Sequence, residues 1–105
     1  MNRLLCKHSE LPEDGNCKEF QLGDEYFFAI RQRDKLFIYK NSCPHVGTPL
    51  NWQKDTFFNA EKCFIQCFSH GALFEIDTGL CIAGPCHGQS LTAVKHQLKA
   101  EGIFI

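Results

Sequence analysis

Cys43-Pro44-His45-Val46-Gly47-Thr48-Pro49-Leu50 and Cys67-Phe68-Ser69-His70-Gly71-Ala72-Leu73-Phe74 are the two stretches on which the reading of this chain turns. Each sets a cysteine and a histidine with one or two residues between them and places a glycine behind the histidine. A thiolate and an imidazole on such spacings can converge from a single tight loop, and two loops facing each other complete a four-ligand cage. The candidate ligands are therefore Cys43, His45, Cys67 and His70. Gly47 and Gly71 suit such loops, because glycine takes positive φ and lets backbone approach a bound group without steric cost.

The order C-x-H followed by C-x-x-H resembles the Rieske iron-sulfur family, in which two cysteines hold one iron of a 2Fe-2S cluster and two histidines hold the other. The resemblance is strong from residue 43 to about 86. It implies a Rieske-type 2Fe-2S cofactor bound by Cys43, His45, Cys67 and His70. It also implies an all-β fold, with a small cluster-binding subdomain at about 42–87 inserted in a larger β-sandwich or barrel base of antiparallel sheets. Pro85, in Gly84-Pro85, falls where the family carries a proline loop that covers the cluster. The stretch from Val46 to Gln66 is a few residues longer than the commonest spacing, and the extra length is expected at Gln53 to Glu61.

Composition bounds the rest. With 105 residues, 44% of them hydrophobic, and a formal net charge of −1, the chain is expected to form one domain spanning 1–105. Its basic residues are too few and too dispersed to suggest nucleic acid. No apolar run is long enough for a membrane span, and the start, Met1 to His8, is broken early by charge, so a cytoplasmic location is expected. Seven cysteines would suggest a disulfide framework in a secreted chain. In a reducing compartment the count instead leaves Cys6, Cys17, Cys63, Cys81 and Cys86 as thiols beyond the ligand pair. Cys86 lies near the suspected site and reads as a packing residue, since nothing beside it in sequence marks an activated thiolate. His8, His87 and His96 read as surface or packing residues; His87, beside the proline loop, is the only one of the three close to the site in sequence, with tuning of docking or potential as its alternative role.

Strands are expected over Arg3 to Leu11, Tyr26 to Arg31, Lys35 to Lys40, Phe64 to Ile65, Ala72 to Ile76, Leu80 to Ala83, Leu91 to Lys99 and Gly102 to Ile105. Pro12 to Asn16, Gly23 to Glu25, Gln32 to Asp34 and Asp77 to Gly79 read as turns. Trp52, Phe57 and Phe58 read as packing residues of the cluster-binding subdomain.

Replacing two thiolates by neutral imidazoles removes negative charge around the cluster and raises its potential. The resemblance refines this. High-potential respiratory members donate a serine and a tyrosine hydroxyl to cluster sulfurs where this chain has Ala72 and Phe74, and they join the loops by a disulfide where it has Thr48 and Ser69. A midpoint on the order of −150 mV, low in the Rieske range, is expected. The function implied is that of a Rieske-type ferredoxin, a one-electron carrier rather than an enzyme. It would dock transiently with a flavin-dependent NAD(P)H reductase and with an oxygenase or similar acceptor. Two alternatives stand beside it: a small Rieske-like subunit of a larger oxidoreductase such as NADH-dependent nitrite reductase, and a structural zinc module. Zinc fits less well because zinc fingers place both cysteines before both histidines. A free-standing oxygenase is not expected at this length.

Overall fold

The computed structural model describes residues 2–44, 47–51, 53–68 and 71–105. Among them the chain forms nine strands and one short 3-10 helix, grouped into three antiparallel three-stranded sheets. The strands are β1 (Leu4–Cys6), β2 (Asn16–Leu22), β3 (Glu25–Gln32), β4 (Lys35–Lys40), β5 (Ile65–Gln66), β6 (Leu73–Phe74), β7 (Cys81–Ala83), β8 (Gln97–Lys99) and β9 (Gly102–Phe104). The 3-10 turn is His8–Glu10. The sheet orders are β2-β3-β4, β1-β9-β8 and β5-β6-β7.

β3 organises the molecule. Its run Phe27-Phe28-Ala29-Ile30 is buried throughout, because the strand lies between β2 and β4 and has a core on each face. Side chains of a strand alternate, so Phe27 and Ala29 join Leu5, Cys6, Ile38 and Ile103, whereas Phe28 and Ile30 face the second core. That second core also holds Cys43, Cys67, Phe74, Cys81 and Cys86. The base of the fold and the β5-β6-β7 sheet are thus welded through one face of β3.

The β3–β4 hairpin is tighter than its sequence reading. Gln32 pairs with Lys35, leaving a two-residue turn of Arg33 and Asp34, both at positive φ (52° and 62°). Asn16–Leu22 is a strand that the sequence reading did not include. It carries Lys18, Glu19 and Gln21 and lacks clean alternation; its half-buried pattern comes from full-length pairing with β3. The expected strand over Arg3 to Leu11 shortens to β1 followed by the 3-10 turn, and the expected strands after the second box shorten to β6 and β7. The run from Leu91 to Lys99 is not one strand but changes partners. Lys40 N–H donates to Thr92 O and Val94 N–H to Ile38 O (3.0 and 2.8 Å), whereas Gln97–Lys99 pairs with β9. This switch closes the base as a two-sheet sandwich.

Tyr39 ties the base to the smaller sheet. Its hydroxyl donates to Ile76 O at 2.7 Å while the ring is 2% exposed. Burial first, and the charge of Asp77 second, push its pKa up to about 12. The unfolded chain releases this proton near pH 10, so above that pH the fold holds a proton that the unfolded state has lost. Stability should therefore fall by about 2 kcal/mol as pH rises from about 10 to 12. Urea unfolding across this interval is expected to show the loss in the wild type. Tyr39→Phe should lack this contribution, while being weaker by about 1–3 kcal/mol at neutral pH because Ile76 O loses its donor.

Candidate metal centre

The two cysteine loops have the same backbone wiring. Gly47 N–H donates to Cys43 O at 2.7 Å and Cys43 N–H to Thr48 O at 2.7 Å. In the second loop Gly71 N–H donates to Cys67 O at 2.7 Å and Cys67 N–H to Ala72 O at 2.9 Å. Each loop closes at its glycine, with φ of 77° at Gly47 and 73° at Gly71. That conformation is costly for any residue with a Cβ, which is the physical reason for glycine at the same offset from both cysteines.

The loops are clamped to each other as well. Phe68 N–H donates to Leu50 O at 2.9 Å, so the residue after Cys67 grips the end of the first box. Leu50 N–H in turn donates to Asn41 Oδ1 at 2.8 Å, and Asn41 Nδ2 donates to Asn51 Oδ1 at 2.8 Å. Asn41 is 7% exposed and its own N–H donates to Tyr26 O at 2.9 Å. This asparagine anchors the first box to the end of β4, a role absent from the sequence reading. The available signal was an amide two residues before a candidate ligand at a strand end, where such side chains commonly satisfy loop backbone.

Cys43 and Cys67 are both completely buried, in the same core cluster. Phe57 stacks on Phe28 with centroids 4.3 Å apart, and Phe58 packs against the same core, as expected of packing aromatics. Trp52 lies outside the described residues. The long segment between the boxes is docked onto the base of the fold. Glu19 N–H donates to Asp55 Oδ1 at 2.8 Å and the Cys17 thiol to Asp55 O at 3.3 Å, docking the segment onto β2. The segment then gains a bridge between Phe58 and Ile65, beside β5.

His45 and His70 lie outside the described residues. Among the described residues no group of three or more His, Cys, Asp or Glu side chains could hold a metal ion. The residues present nonetheless suit a 2Fe-2S cluster. Two buried sulfurs sit on matched, cross-linked loops, and soft thiolates with imidazoles are the donor set such a cluster takes. Burial pushes the Cys86 thiol pKa up, the Cys81 sulfur adds to this as hydrogen-bond partner and charge, and Cys43 adds a smaller electrostatic contribution. Cys86 thus stays protonated beside the proposed ligand loop.

Gly84 brings the proline loop against the second box. At φ 100°, a Cβ built on it would lie 2.7 Å from Ala72 Cα and 3.1 Å from Ala72 Cβ. Gly84→Ala should therefore push the loop off Ala72 and cost about 2–3 kcal/mol, from strain and overpacking together. Chemical denaturation would measure the loss, and faster bleaching of the cluster in air would report its exposure.

A model of the Rieske [2Fe-2S] domain matches residues 2–99. The chain belongs to this family, whose domain carries a Rieske-type 2Fe-2S cluster, and this decides against the zinc alternative. Solved structures agree in fold. The ferredoxin of carbazole 1,9a-dioxygenase from Nocardioides aromaticivorans IC177 is 23% identical, with TM-score 0.70 over 96% of this chain and 92% of that one. A ferredoxin of Sphingomonas yanoikuyae B1 is 20% identical, with TM-score 0.72 over 97% and 94%. A quaternary ammonium Rieske monooxygenase is 22% identical with TM-score 0.74, but this chain covers 31% of its length and 97% of its own. Among curated proteins nothing matches. No helix among the described residues is long and apolar enough to cross a membrane.

Proposed function

We propose that the chain is a Rieske-type ferredoxin, a single domain over 1–105 that carries one electron at a time from a flavin-dependent NAD(P)H reductase to an oxygenase or similar acceptor. Cys43 and Cys67 would hold the inner iron and His45 and His70 the outer one. The cluster, when bound, supplies the one-electron redox couple. The chain's own contribution is to bury the two thiolates, hold the loops in register and exclude water.

One observation carries the reading: two fully buried cysteines lie on loops that, with the neighbouring proline loop, present exposed, uncharged residues. Gly47, Thr48, Pro49, Gly71, Gly84 and Pro85 are all exposed around the boxes. Small neutral residues let a partner's surface approach closely and desolvate cheaply, which suits weak, short-lived electron-transfer encounters. The similar ferredoxin found in complex with a reduced oxygenase in carbazole 1,9a-dioxygenase supports an oxygenase as one partner.

Low-temperature EPR of the dithionite-reduced protein tests the reading. Two irons per chain and a rhombic signal with average g below the free-electron value are expected. Stopped-flow oxidation of the reduced protein by a Rieske oxygenase should then be fast and second order. Absence of the signal would refute the cluster assignment; a normal signal without transfer to any oxygenase would refute the partner. Stable copurification with a large flavin or haem subunit would favour the subunit alternative.

A further inference from the structure

Cys81 and Cys86 lie outside the proposed ligand set, yet the fold brings their sulfurs to 2.9 Å. A disulfide bond measures about 2.05 Å, so bonding asks for a sulfur displacement of only about 0.9 Å. The backbone already holds both residues in one closed loop. Cys81 N–H donates to Gln89 O at 2.8 Å and Gly88 N–H to Cys81 O at 3.1 Å, which starts the loop as a narrow antiparallel pair. Gln89 N–H donates to Cys86 O at 2.9 Å and His87 N–H to Gly84 O at 3.2 Å, which fixes the far side. The thiols are also oriented: Cys86 S–H donates to Cys81 Sγ, and Cys81 S–H donates to Ala83 O at 3.2 Å.

The pair is buried, but the residues flanking Cys86 are at the surface. Both cysteines are 1% exposed, but Gly84, Pro85, His87 and Gly88 around Cys86 are exposed. An oxidant must pass these exposed loop residues to meet the sulfurs, which favours a small one such as hydrogen peroxide over a bulky disulfide reagent.

We propose that Cys81 and Cys86 are a redox modification site, forming a reversible intramolecular disulfide with hydrogen peroxide as the oxidant. One thiolate attacks a peroxide oxygen; its S–O bond forms, the O–O bond breaks, and the departing hydroxide takes up a proton as water. Cys86, a thiol at rest, then attacks the sulfenic sulfur of Cys81 and gives its proton to the departing hydroxide, forming S–S and breaking S–O with release of a second water. The pair loses two electrons and two protons, and one peroxide is reduced to two waters. The bridge spans the loop whose Gly84 lies against Ala72, so oxidation ties the proline loop across its own base beside the second box. This inference goes beyond the electron-carrier reading and uses thiols that the reading leaves idle.

The test is a peroxide titration of the intact holoprotein, followed by denaturing alkylation and peptide mapping, with cluster absorbance read in the same sample. Trypsin together with a glutamyl endopeptidase releases residues 76–95, whose cysteines are Cys81 and Cys86 alone. That peptide should change from doubly alkylated to unalkylated and about 2 Da below the dithiol mass, and dithiothreitol should restore alkylation, before cluster absorbance falls. Cys86→Ser should instead accumulate a dimedone-reactive sulfenic acid on Cys81. Retention of both alkyl groups, or a bridge that appears only after the cluster has bleached, would overturn the proposal. The wild-type titration reads this even if the variant fails to fold.

Discussion

Cys43→Ala and Cys67→Ala are each expected to yield protein without the cluster's visible absorbance and with iron reduced to trace levels. Each substitution removes one anionic ligand from the proposed cage, and a 2Fe-2S centre short of a thiolate on its inner iron is not retained. Cys81→Ala and Cys86→Ala are the controls. All four cysteines are buried to within 1% exposure and share one core, so the packing lost with a sulfur is similar at each. Packing loss alone would make the four variants alike. Ligand loss separates them: the first two should fall to trace iron and the controls should keep about two irons per chain. Because metal-site assembly contributes to folding free energy, the first two should also unfold at much lower temperature. Equal iron loss in Cys86→Ala would refute the ligand assignment.

The double substitution Ala72→Ser and Phe74→Tyr is expected to raise the midpoint potential by roughly 100–200 mV. A hydrogen bond to a charged acceptor is worth about 1.5–3 kcal/mol, and about 2.3 kcal/mol corresponds to 100 mV for one electron. Only the part that strengthens on reduction counts, leaving on the order of 50–100 mV per donor. The environment of both positions makes the outcome sharp. Ala72 and Phe74 are fully buried, and Ala72 O accepts the Cys67 N–H, so the position is tied directly to the second loop. New hydroxyls there must find an acceptor inside the protein. If cluster sulfurs supply it, protein-film voltammetry will show the rise. If they do not, the buried hydroxyls cost about 1–3 kcal/mol each in stability and the potential stays near the wild-type value, expected on the order of −150 mV.

Much of the base was legible because its hairpins are local. Tyr26-Phe27-Phe28-Ala29-Ile30 and Leu36-Phe37-Ile38-Tyr39 are β-formers flanking a short polar turn, and neighbouring strands joined by such turns pair by default. β2 was not legible. Its Cys17-Lys18-Glu19-Phe20-Gln21 run has no clean period, because one face is covered by Asp55 and its neighbours, more than thirty residues away. The sheet change in the 91–99 run was hidden for the same reason, since its alternating pattern does not say which neighbour each half will meet.

At the site, the sequence by itself determined the donor types, their spacing and the need for Gly47 and Gly71, because ligand chemistry and positive φ are properties of residue type and immediate neighbours. Only the tertiary structure decided that the two loops are clamped through Leu50 and Phe68, that Asn41 anchors the first of them, and that Cys86 meets Cys81. Those contacts join parts of the chain whose relative position is set by packing on β3, and a side chain's chemistry does not name the partner that packing brings to it.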